Sequence, residues 1–106
     1  MIAYITEVTD DSFENFKSKG VVLVDIYANW CGPCKNMSPI IDEISNEFHN
    51  KVKVGKLDVD KNSIVPASLK VRSIPTIVIF KDGEEVSKIV GSVSKAEISE
   101  ELEKHL

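Results

Sequence analysis

Short β-branched runs alternate with stretches whose apolar residues recur at helical spacing. Ala3–Val8 reads as a short strand. Asp10–Lys19 reads as a helix: Asp11 and Glu14 fit a capping box, Phe13 and Phe16 share a face, and Gly20 stops it. Val21–Ala28 is almost continuously apolar, the pattern of a strand covered on both faces. From Gly32 to His49, Met37, Ile40, Ile41, Ile44 and Phe48 keep the helical period, with Pro39 inside as a kink. Val52–Val59 is the next strand, and Asn62–Leu69 a short, weak helix with Pro66 near its middle. Thr76–Phe80 and Glu85–Val90 flank Asp82-Gly83, a hairpin signal. Ser94–Leu106 closes the chain as a helix with a Ser94/Glu97 capping box and an Ile98, Leu102, Leu106 stripe.

The order is βαβαβαββα. The early crossovers require parallel strands and the late hairpin an antiparallel pair. The expected fold class is α/β: a central five-stranded mixed sheet flanked by four helices. The length, 106 residues, predicts one domain spanning 1–106. Lys and Arg number 13 against 17 Asp and Glu, giving a net charge of −4, and Arg72 is the one arginine. That balance argues against a nucleic-acid binder, which needs a basic face. No apolar run approaches the roughly 18 residues of a membrane span. Met1–Glu7 lacks the basic start of a secretory signal, so a cytoplasmic location is expected.

The two cysteines are Cys31 and Cys34, in Trp30-Cys31-Gly32-Pro33-Cys34-Lys35, between a buried strand and a helix. A thiol at a helix N-terminus faces unpaired N–H groups and the positive end of the helix dipole. Both favour the thiolate, the attacking species in disulfide exchange. Cys31 is therefore expected to attack. Cys34, one turn on and more buried, is expected to resolve the mixed disulfide. Structural zinc needs four ligands, and His49 and His105 stand far off. Covalent haem needs a His after the second Cys, where this chain has Lys35. A loop this small is nearly the least useful place for a purely structural disulfide. No metal constellation or Gly-rich phosphate loop is present, so no cofactor is expected.

The string Trp30–Lys35 resembles the active site of the thioredoxin family, and the resemblance covers essentially the whole chain. Val21–Trp30 is similar to the family's strand before the active site, with Asp25 at its buried acid and Pro39 at its helix proline. Lys56-Leu57-Asp58-Val59-Asp60 is similar to the next strand. Arg72-Ser73-Ile74-Pro75-Thr76 resembles the segment carrying the cis-proline, and Lys81-Asp82-Gly83 and Gly91 match the hairpin and late glycine. The departures are Tyr27 where many members have Trp, Ser63 where Pro is common, Leu69 for a frequent Tyr, and Ser73 where Gly is common. None touches the dithiol.

The resemblance implies the thioredoxin fold and a protein-disulfide reductase. It implies that Asp25 exchanges a proton with Cys34 and that Lys56 tunes Asp25. The plain alternatives are a hydrogen-bonded core aspartate and a lysine reaching solvent along its stem. Ile74-Pro75 is implied to be cis and beside Cys31, its backbone open to an extended target strand, against an ordinary trans proline. Gly32 and Pro33 go with reducing members, or are simple turn-to-helix geometry. Trp30 is a wall of the site or a core-edge aromatic. Gly91 admits a partner's backbone or makes a strand-end turn.

The implied partners are a thioredoxin reductase, either an NADPH-dependent flavoprotein or a ferredoxin-linked enzyme, and disulfide-containing targets. Among members those targets include ribonucleotide reductase, peroxiredoxin and methionine sulfoxide reductase. A monomer with no nucleic-acid or membrane partner is expected. Two other readings stay open: an oxidase or isomerase on the same fold, and a redox-inert module that uses the fold to bind a partner.

Overall fold

A computed structural model describes residues 2–106. Nine elements follow in the expected order: β1 (Ile5–Glu7), α1 (Phe13–Phe16), β2 (Val21–Tyr27), α2 (Gly32–Glu47), β3 (Val52–Asp58), α3 (Ile64–Ser68), β4 (Thr76–Lys81), β5 (Glu84–Val90) and α4 (Lys95–Glu103). The sheet order is β1-β3-β2-β4-β5. β1 and β2 each pair parallel with β3, while β2–β4 and β4–β5 are antiparallel.

Alternation along β2 divides the core. Val21 and Leu23 pack with Met37, Ile41 and Ile44 of α2 and with Ile98 and Leu102 of α4. Val22, Val24 and Ile26 face the other way, with Phe13 of α1 and Val65 of α3. A strand covered on both faces has no polar side to show, which explains its nearly unbroken apolar run. By the same alternation Asp25 and Tyr27 lie on the α2 face of the sheet. Gly55 is a close-approach position: a Cβ there would come within 2.8 Å of the Phe16 ring.

Several local expectations change. The first helix has a single regular turn, and Asp11 and Glu14 do not cap it. Thr9 and Ser12 do so instead. The Ser12 N–H donates to Thr9 Oγ1 at 3.1 Å and the Thr9 N–H to Ser12 Oγ at 2.9 Å, a reciprocal box with serine in the usual glutamate place. α2 ends at Glu47, short of His49, and Asn50 takes a positive φ of 78° just beyond. α4 keeps the Ser94 cap, with the Glu97 N–H donating to Ser94 Oγ at 3.2 Å. It buries Ile98 and Leu102, but Leu106 lies past its end and is 48% exposed, outside the stripe expected for it.

α3 is capped from far along the chain. Its Ile64 and Val65 N–H groups donate to the Asp10 carboxylate at 3.2 and 2.8 Å. The Asp10 N–H in turn donates to Asn62 Oδ1 at 2.8 Å. Pro66 falls in the first turn, where a missing N–H removes no intrahelical bond. Asp10→Ala is expected to lower the unfolding free energy by about 1–2 kcal/mol, the usual effect of losing a helix cap. Equilibrium denaturation of the two proteins measures it.

Candidate active site

The cysteines sit where β2 hands over to α2. Cys31 is the N-cap of α2, Gly32 is its first residue, and Pro33 follows in the first turn, where φ and the lost donor both suit proline. Cys31 and Cys34 are joined as a disulfide with Cα atoms 5.2 Å apart. The Cys34 N–H donates to Cys31 Sγ at 3.1 Å. In the reduced form that donor and the helix dipole both face a thiolate at Cys31. The two residues do not differ in burial as expected, being 4% and 5% exposed. Their asymmetry lies in position instead: Cys31 is outside the helix with a backbone donor on its sulfur, and Cys34 is within it.

Ala28 clusters with both cysteines, and Tyr27, Val59 and Ile74 border the cluster. One of the departures, Tyr27, therefore does reach the surroundings of the dithiol, contrary to expectation, because the last residue of β2 points to the α2 face. The Ile74–Pro75 bond is cis, and Ile74 packs against the cluster of Ala28 and the two cysteines. The Gly91 N–H donates to the Pro75 carbonyl at 2.8 Å, bringing Gly91 to the same end of the sheet. Its φ of 88° is a conformation glycine adopts without strain, so the strand-end turn is part of its role. Trp30 is 69% exposed and forms one wall of a groove of about 250 Å³ that runs past Val71, Arg72, Ser73 and Ile74. A wholly core-edge Trp30 is thereby excluded.

Asp25 is 1% exposed, and its Oδ1 meets no donor from the protein. Burial raises its pKa to about 6, against a smaller downward pull from the Lys56 ammonium. Lys56 pairs with Asp25 in the β2–β3 register and shares a cleft with Cys34, Lys35 and Ser38. Its Nζ lies 4.5 Å from the centre of the Tyr27 ring.

Three groups escaped the sequence reading. Asp60 holds the exposed indole, with Trp30 Nε1 donating to Asp60 Oδ2 at 3.0 Å. Asp58, 2% exposed, accepts from the Asp60 N–H at 2.9 Å and so shapes the loop that carries Asp60. Glu7 accepts from the Tyr27 hydroxyl at 3.2 Å. The Asp58-Val59-Asp60 alternation after an apolar run was the available signal for the first two. Glu7 gave none, because its partner lies on a different strand.

No group of three or more His, Cys, Asp or Glu side chains among the described residues is placed to hold a metal ion. No helix among them is long and apolar enough to cross a membrane.

Comparison with known proteins agrees along nearly the full length. The Thioredoxin family model matches residues 4–104. A thioredoxin from Staphylococcus saprophyticus is 46% identical over 102 residues, covering 96% of this chain and 98% of the relative. A thioredoxin from Staphylococcus aureus is 45% identical over the same span. The solved structure of a mutant thioredoxin from Halobacterium salinarum superposes with a TM-score of 0.89 at 30% identity, over 99% of this chain and 95% of that one.

Proposed function

The chain belongs to the thioredoxin family and is a thiol-disulfide oxidoreductase, and from that premise we propose that its residues divide the reaction as follows. Reduced Cys31 attacks a target disulfide as the thiolate. One target sulfur leaves as a thiolate and takes a proton from solvent, and a Cys31–target disulfide forms. Cys34 passes its proton to the Asp25 carboxylate and attacks Cys31 Sγ. The second target thiolate leaves and receives a proton from Asp25 or water. Two electrons have moved from the Cys31–Cys34 dithiol to the target.

The observation that carries this reading is the backbone N–H on Cys31 Sγ at the mouth of α2, with its resolving partner one turn away. The midpoint of Asp25 near 6 suits a group that accepts and returns a proton near neutrality. Lys56 supplies the positive charge that holds Asp25 from rising further. Gly32 and Pro33 keep the turn between the sulfurs compact and favour the reducing direction. The Trp30 wall, the Ile74 backbone beside cis Pro75, and Gly91 form the surface on which an extended target segment lies.

The protein acts as one domain, 1–106, and as a monomer in the cytoplasm, where such dithiols are kept reduced. A thioredoxin reductase returns it to the dithiol form. Its targets are disulfide-containing proteins such as ribonucleotide reductase, peroxiredoxin and methionine sulfoxide reductase.

Equilibration in glutathione buffers of varied ratio tests the direction of flow. The Cys31–Cys34 couple is expected to lie clearly below glutathione, so that half-reduction needs a large excess of reduced glutathione. A couple lying well above it makes the protein an oxidant or isomerase and overturns the reductase assignment.

A further inference from the structure

Three adjacent strands bring a row of charges to one face of the sheet. Glu7 of β1 pairs in register with Lys56 of β3, and Lys56 pairs with Asp25 of β2. Partners in register on parallel strands share a face, and here it is the α2 face. Lys56 thus lies between two carboxylates, one exposed and one buried. Among the described residues it forms an ion pair with neither. Tyr27 explains why. Its hydroxyl donates to Glu7 Oε2 at 3.2 Å, and its ring lies 4.5 Å from Lys56 Nζ. Ammonium groups within about 6 Å of an aromatic ring centre are attracted to its face.

We propose that Tyr27 is a positioning residue that holds the Glu7 carboxylate aside with its hydroxyl and carries the Lys56 ammonium on its ring, so that Glu7 does not neutralise Lys56 and its charge is left to Asp25. The inference rests on the assigned role of Asp25 as the proton acceptor and names what sets its ionisation. Burial, with Glu7 and Asp58 beside it, raises the Tyr27 phenol to about 12. The hydroxyl is therefore a donor at every working pH. Glu7 and Asp25 are themselves two strand spacings apart, about 10 Å, so their direct interaction is weak beside one relayed by Lys56. The other charged or titratable groups around the row are Asp58, in register with Tyr27, and from α2 Lys35 and the cysteine pair.

The test is the carboxyl titration of Asp25 in the disulfide form, followed by NMR on carboxyl-labelled protein. Tyr27→Phe keeps the ring and frees Glu7 to pair with Lys56. The Asp25 midpoint is expected to rise by about 0.5, the size of one partly exposed ion pair. Glu7→Gln alone is expected to leave the midpoint unchanged or lower it. In the Glu7→Gln, Tyr27→Phe double variant the rise disappears. Lys56→Met raises the midpoint by itself and makes it insensitive to Tyr27→Phe. An unmoved midpoint in Tyr27→Phe, or a rise that persists without the Glu7 charge, overturns the proposal.

The titration needs no electron transfer, so it separates the two ideas. If the Asp25 midpoint moves as stated while the pH profile of target reduction stays fixed, the fault lies with the assignment of Asp25 as proton acceptor. The charge relay through Tyr27 then stands.

Discussion

Cys31→Ser is expected to abolish disulfide reduction, lowering the rate by at least about 10³-fold, as loss of a nucleophile does. Serine is nearly isosteric and can still accept the Cys34 N–H, so folding is preserved and the loss is chemical. Cys34→Ser gives a different failure. Its Cys31 has no neighbour to form a disulfide with, keeps the helix N-terminus and its backbone donor, and still attacks. The mixed disulfide then has no internal resolving thiol and accumulates. Incubation with an oxidised target, followed by non-reducing gel electrophoresis, is expected to show a stoichiometric covalent adduct with Cys34→Ser and none with Cys31→Ser. Equal trapping by both variants would remove the distinction between attacking and resolving sulfur.

Asp25→Asn is expected to alter stability and chemistry together. Burial raises the folded-state pKa of Asp25 from 3.8 to about 6. Between those values the native protein binds more protons than the unfolded chain, so stability falls as pH rises. The contribution is complete below 3.8 and lost above about 6, leaving a buried charge that costs on the order of 3 kcal/mol at neutral pH. Asparagine never ionises. The variant's unfolding free energy relative to the parent should therefore grow by about that amount from acid to neutral pH, and denaturant titrations at several pH values measure it. An unchanged difference across that range would show that Asp25 is not held in a desolvating site. On the role proposed for Asp25, the same substitution also removes the acceptor for the Cys34 proton, and the pH profile of target reduction is expected to lose its step near 6.

What the sequence made legible was whatever rested on local pattern. The α2 register came from Met37, Ile41 and Ile44, the buried strand from Val21–Ile26, and the hairpin from Asp82-Gly83, since each carries its signal within a few residues. The cysteine pair was legible for the same reason. Contacts across long separations were not. Asp10 caps a helix more than fifty residues away, and its own neighbourhood pointed only to the start of the first helix. Trp30 was picked out by its place beside the cysteines, whereas its anchor at Asp60 was hidden until the loop after β3 was folded beside it. Helix ends were also overextended. Apolar spacing continues to Phe48 and Leu106, but Asn50 takes a left-handed conformation, and nothing at the chain end covers Leu106.

The strand order has a consequence for how the protein behaves in a crowded solution. The two outer strands leave hydrogen-bonding edges that invite other sheets to add on. Here one edge, β1, is three residues long, and the other, β5, carries Glu84, Glu85 and Lys88. A short border and a charged one both discourage stacking of copies into ribbons. A thiol-disulfide oxidoreductase gains from this: borders that resist self-addition leave the proposed Ile74 surface, beside Cys31, for the disulfides it exchanges with.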